Sequence, residues 1–114
     1  MINFNKTGLR LALSLVTLLT YVSSFAQLSG GEFKKKFSEA DYDMVYDNYD
    51  AAQKKWLELY AADNTNANVN YKLGFCYLKS ANEKLKSIPL LEMASKNMSA
   101  DYEEFDATEK KAPE

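Results

Sequence analysis

The sequence predicts an all-α fold of two helix–turn–helix hairpins following an export leader. Three observations predict it. Between Phe33 and Met98 the apolar residues recur at steps of three and four, with no strand-like alternation bounded by turns. Polar clusters divide that stretch into segments of helical length. The first 26 residues carry a composition that belongs to targeting rather than to folding.

In the leader, Lys6 and Arg10 make a basic start, and an apolar run extends from Leu11 to about Val22. Ser24-x-Ala26 then offers small residues three and one before a cut ahead of Gln27. Ser14, Thr17 and Thr20 interrupt the run, which is short of the roughly 20 apolar residues a span needs. The reading is residues 1–26 as a signal peptide, export across the inner membrane to the periplasm, and no membrane span after cleavage. Without Lys6 and Arg10 the chain has 12 basic against 16 acidic residues. No basic surface for nucleic acid can form from that balance, and Lys34–Lys35–Lys36 is too short to supply one.

The elements follow in order. Residues 27–32 read as a linker. Phe33, Phe37, Ala40 and Met44 form the first stripe, and Asp47–Asn48 turns the chain. Tyr49, Ala52, Trp56, Leu59 and Tyr60 form the second, closed by Asp63–Asn64–Thr65–Asn66. Val69, Leu73, Cys76 and Tyr77 form the third, up to a turn at Ser80–Ala81–Asn82. Leu85, Ile88, Leu91, Ala94 and Met98 form the fourth, with Pro89 tolerable near its first turn. Residues 101–114 read as an acidic linker leading toward a possible third unit, or as a docking strip for a basic partner. Four helices of about 12–16 residues result, joined by short turns.

Gly74 is the anomaly. A glycine inside "NVNYKLGFCYL" costs a helix roughly 1 kcal/mol relative to alanine. The surrounding stretch, residues 48–78, resembles the tetratricopeptide repeat, a 34-residue helix–turn–helix unit. Ala52 with Trp56 matches the small-then-aromatic pair of that motif's second helix, and Leu73, Gly74 and Tyr77 match its first helix. The units fall at 33–66 and 67–100, with Ser87, Leu91 and Ala94 taking the small-large-small places of the second. The resemblance implies that Gly74 lets the next helix approach while Tyr77 fills the seam. Asn70 stands where the motif has tryptophan, Asn64 where it has its closing proline and Ala40 where it has glycine.

"NANVNYKLGFCYL", "SIPLLEMASKN" and the leader ending "FAQ" are also similar to the start of exported envelope proteins of certain Gram-negative bacteria. These begin with tetratricopeptide repeats, continue into a PD40-type propeller and end in an OmpA-like peptidoglycan-binding domain. The resemblance implies a non-catalytic protein–protein interaction module, the N-terminal part of a periplasmic or outer-membrane-associated scaffold. Peptidoglycan binding would belong to the C-terminal domain, which is absent from this chain. The alternative is a stand-alone small exported helical protein holding an apolar ligand or unfolded segment.

Chemistry is hard to write for this composition. Histidine is absent, which removes the commonest general base and metal ligand. No enzyme, cofactor or metal site is therefore expected. Asp41-x-Asp43 lacks the glycine and glutamate of a calcium loop, since Tyr46 and Ala52 occupy those places. With Asp47 and Asp50 these carboxylates read as a solvated helix face. The single cysteine, Cys76, lies on an inward stripe as a small hydrophobe, or pairs between chains. Tyr71, Phe75 and Leu78, at i, i+4, i+7, give the Gly74 helix a second apolar stripe that must also be covered. The resemblance places Asn68, Tyr71, Lys72, Phe75, Leu78 and Lys79 along a partner-binding groove; otherwise they pack against the first helix and residues 101–106. Phe37 and Asp41 stand where the repeat's carboxylate-clamp form has lysine and asparagine, so a terminal carboxylate is not the expected ligand.

Overall fold

The computed structural model describes residues 28–114. The signal peptide and the cut before Gln27 lie outside the described residues. Four helices run in chain order: α1 Gly30–Val45, α2 Tyr49–Ala62, α3 Ala67–Lys79 and α4 Ser87–Ala94. A 3-10 turn, Lys84–Lys86, leads into α4. The fold is all-α in character, and its only strands among the described residues are two-residue β1, Met98–Ser99, and β2, Ala112–Pro113, paired in parallel. Among the described residues no helix is long and apolar enough to cross a membrane.

α1 starts earlier than the stripe beginning at Phe33 indicates, and residues 30–32 are helix rather than linker. Ser29 explains this: its Oγ accepts the Glu32 backbone N–H at 3.2 Å, capping a first turn that contains two glycines. The helix ends where expected. The Asn48 N–H reaches the Asp43 carbonyl at 2.8 Å and the Asp47 N–H the Met44 carbonyl at 3.0 Å, a Schellman closure. Asp47 holds its left-handed position, at φ 58°, which aspartate tolerates better than most residues.

α2 returns antiparallel to α1. Lys36 pairs with Glu58, Lys55 with Asp43, and the Trp56 indole N–H donates to Met44 Sδ at 3.1 Å, so positions rise along one helix as they fall along the other. Phe37, Ala40, Ala52, Trp56 and Leu59 bury their faces between them, with the Phe37 and Trp56 rings edge to face at 5.0 Å.

The next turn is built by asparagines. Asn66 caps α3 by accepting the Val69 N–H at 3.2 Å. Asn70, fully buried where the repeat motif has tryptophan, donates to the Asn64 and Asn66 carbonyls at 2.9 Å each. Its own buried amide N–H groups thus find acceptors in the turn, and the turn is tied to α3. Nine of the thirteen residues of α3 are buried, as a helix with two apolar stripes requires.

The fourth helix differs from expectation. It has 8 residues and buries Ser87, Leu90 and Ala94, not the stripe through Leu85, Ile88 and Met98. Leu85 remains 80% exposed and Ile88 51%. Ser80 Oγ accepts the Asn82 and Glu83 N–H groups, which prolongs the turn, and the α-helix begins only at Ser87. Pro89 then sits in the first turn, where its missing N–H is harmless. A start at Ser87 rotates the buried face by about one residue, roughly 100°. α4 crosses α3 at Gly74 as expected. A Cβ at Gly74 would lie 2.9 Å from Leu91 Cδ2, 3.0 Å from its Cγ and 3.4 Å from Leu90 Cβ.

The tail corrects the linker reading. After β1 the chain loops out and returns to α3, where the Lys110 carbonyl accepts the Ala67 and Asn68 N–H groups at 3.0 and 3.4 Å. Ala112 is buried beside Ala67 and Ala94. The free N–H groups at the start of α3 are thereby satisfied by the tail.

Candidate functional site

α1 and α3 pack so that Asp41 and Lys72 meet inside the protein. Lys72 Nζ donates to Asp41 Oδ1 at 2.5 Å, and both side chains are at least nine-tenths buried. The Lys72 ammonium also donates to the Glu104 carbonyl at 2.5 Å and lies 4.7 Å from the Phe37 ring centre and 5.3 Å from that of Trp56. Asp41 therefore does not belong to a solvated acidic face. Its place four residues after Phe37 turns it inward, toward the one lysine that α3 buries.

Burial pushes the Asp41 carboxyl above its ordinary value of 3.8, against the pull of Lys72. Burial likewise lowers the Lys72 ammonium from 10.5, against the pull of Asp41. Both shifts favour neutral forms, because desolvation penalises each charge. Asp41 Oδ2 is buried without a hydrogen-bond partner.

A pocket of about 200 Å³ opens beside this pair. Met44, Tyr49, Tyr71 and Phe75 wall it from the helices, and Glu104 and Phe105 border it from the tail. A second hollow, between Ser38, Tyr42, Val45 and Phe105, adjoins it across Asp41. Tyr42, Val45, Tyr46 and Phe105 are all more than 60% exposed, leaving an apolar rim on α1 and the tail.

The expected groove residues divide. Tyr71, Lys72 and Phe75 line the pocket. Lys79 lies at its edge, with Nζ 5.3 Å from the Phe75 ring centre and 5.8 Å from that of Tyr49. Leu78 is exposed and does not line it. Asn68 is fully buried beneath the tail, its amide donating to the Glu109 carbonyl at 3.1 Å and its Oδ1 accepting the Tyr102 hydroxyl at 2.7 Å. Asn68 and Lys72 are thus occupied by the chain's own tail and present no free face to a partner. Burial drives the Tyr102 hydroxyl well above its ordinary value of 10.0.

The residues assigned to helix packing lie inside. Ala52, Trp56, Leu73, Tyr77 and Ala94 are buried, and Leu91 covers Gly74. Cys76 is buried as well, and burial pushes its thiol up to about 12. Among the described residues no three His, Cys, Asp or Glu side chains converge as a metal site. No protein-family model, curated protein or solved structure matches the chain.

Proposed function

We propose that this chain is a non-catalytic protein–protein interaction module of the bacterial cell envelope, exported to the periplasm, with a tetratricopeptide-like pair of hairpins presenting the α1–α3 face to a partner segment. It would serve as the N-terminal part of an envelope scaffold. The observation that supports this reading is the aromatic-walled pocket beside the Asp41–Lys72 pair, rimmed by exposed apolar residues of α1. Its volume of about 200 Å³ falls below the roughly 300–1,000 Å³ of small-molecule sites. It suits one or two side chains of a docked segment better than an enclosed lipid, which weakens the stand-alone apolar-ligand alternative.

Photo-crosslinking in cells tests it. A photoreactive residue at Val45, on the exposed rim, should capture one envelope protein, whereas the same residue at exposed Lys54 should not. Adding Phe75→Ala should abolish the capture. Equal capture from both positions, or none from Val45, refutes the groove reading.

A further inference from the structure

We propose that residues 103–106 are a built-in occupant of the α1–α3 groove, seated where an extended acidic segment of a partner, carrying one aromatic residue, binds in their place. The inference rests on the groove being a docking face, as argued above. The tail is anchored firmly on both sides of this stretch. Before it, the Tyr102 ring meets Tyr71 edge-on at 6.3 Å and its hydroxyl bonds Asn68. After it, Ala107 packs on the core, Glu109 and Lys110 offer carbonyls to α3, and Ala112 is buried.

Between those anchors the attachment is slight. Glu103, Glu104, Phe105 and Asp106 are all exposed. Among the described residues, one hydrogen bond ties them to the helices, from Lys72 Nζ to the Glu104 carbonyl. Phe105 reaches the Lys72 ammonium at 5.8 Å, yet keeps 64% of its surface in water while bordering both hollows. A well-seated aromatic residue buries about 150–250 Å². This stretch therefore makes the contacts that a ligand would make, a carbonyl for Lys72 and a ring beside its ammonium, but makes them poorly.

The donors and rings that the flap leaves behind identify the competitor. With the flap lifted, Glu104 leaves, and the groove retains Asp41 against the ammonium groups of Lys72 and Lys79. Lys79 forms no ion pair among the described residues, while its ammonium faces the Tyr49 and Phe75 rings. Asp47, whose carboxylate accepts the Tyr49 hydroxyl at 2.9 Å, offsets Lys79 in the sum of charges. The vacated groove thus offers aromatic walls and two ammonium groups, of which, among the described residues, only that of Lys72 is in an ion pair. An extended segment with acidic flanks, a free carbonyl and a deeply inserted ring matches it. Such a segment must first displace the flap, so its apparent affinity falls in proportion to the fraction of molecules with the flap open.

The test uses a fluorescent, end-capped probe peptide, Glu-Glu-Phe-Asp-Ala, titrated by anisotropy into the full chain and into its Phe105→Ser variant. Exposed Phe105 makes that substitution compatible with folding, which an unchanged far-UV spectrum verifies. The probe should bind the variant at least tenfold more tightly than the parent, and replacing its phenylalanine by alanine should erase that gain. Equal binding to both chains, with Phe75→Ser abolishing it, overturns the flap and leaves the groove standing. Binding to neither chain, or binding indifferent to the probe's ring, also overturns the flap, and the crosslinking experiment then decides the groove alone.

Discussion

Replacing Gly74 by leucine puts the close crossing of α3 and α4 to a quantitative test. A Cβ at that position would already stand 2.9 and 3.0 Å from two Leu91 carbons, where favourable carbon–carbon contact begins near 3.5 Å. Leucine then adds three further carbons to the same seam. Overpacking of a filled core costs typically about 1–3 kcal/mol, and four added carbons belong at the upper end. Against this stands the propensity gained by removing a helical glycine, about 0.8 kcal/mol. The net expectation is destabilisation by about 2 kcal/mol, or a melting temperature lower by roughly 8–16 °C for a domain of this size. Urea unfolding with an unchanged slope measures it. Leu91→Ala in the same chain opens the seam, so Gly74→Leu should cost much less there, with a coupling of about 1–2 kcal/mol. A raised midpoint for Gly74→Leu alone would show that α4 does not hold the glycine, and the crossing argument would fail.

Three other outcomes follow from the packing, and a fourth from the leader sequence. Lys72→Met alone should destabilise by about 3–5 kcal/mol, because it strands a buried carboxylate, while Asp41→Leu with Lys72→Met should be neutral or stabilising in urea melts. Tyr102→Phe should cost about 1–3 kcal/mol by leaving buried Asn68 Oδ1 without its hydroxyl partner, and increased proteolysis near residue 103 would accompany it. Cys76, with its thiol pushed up to about 12, should resist a thiol reagent at pH 8 in the folded chain and react at once in 6 M guanidinium; rapid reaction in the folded chain would contradict the burial. Mass spectrometry of the periplasmic fraction should find a mature chain beginning at Gln27, and recovery of the Met1 form from the inner membrane would refute export with cleavage.

The parts legible in sequence are those governed by local rules. The stripes through Phe37, Trp56 and Leu73 have helical period, and the Asp47–Asn48 and Asp63–Asn66 turns are written in residues whose side chains compete for backbone bonds. Gly74 was legible because a glycine between large side chains needs a neighbour pressing on it. The α4 face was legible in part. The repeat register picks Ser87, Leu91 and Ala94, of which Ser87 and Ala94 are buried and Leu91 meets Gly74. The apolar stripe through Leu85, Ile88 and Met98 misses the buried face because the Ser80–Glu83 turn delays the helix. Ser29 as a cap was a signal within reach: serine followed three residues later by glutamate marks a helix start.

The groove shows where local reading stops. Spacing along α3 marks Tyr71 and Phe75, and the repeat resemblance adds Lys72. Asp41 and Met44 of α1 and Tyr49 at the start of α2 join them only through tertiary packing, more than 20 residues away in sequence. Composition made the tail look like a solvated linker, since Asp101, Glu103, Glu104 and Asp106 dominate it. What binds it to α3 is mostly backbone carbonyls, at Glu104, Glu109 and Lys110, and a carbonyl carries no side-chain signature. Their donors did leave a trace. Asn68 and Lys72 are polar residues four apart, both among the nine buried positions of the thirteen in α3, and buried donors require acceptors. Asp41 satisfies only part of that demand. The acidic segment supplies the rest from 32 and 41 residues further along the chain, at the Glu104 and Glu109 carbonyls, so the polarity of α3 is met by the return of the tail.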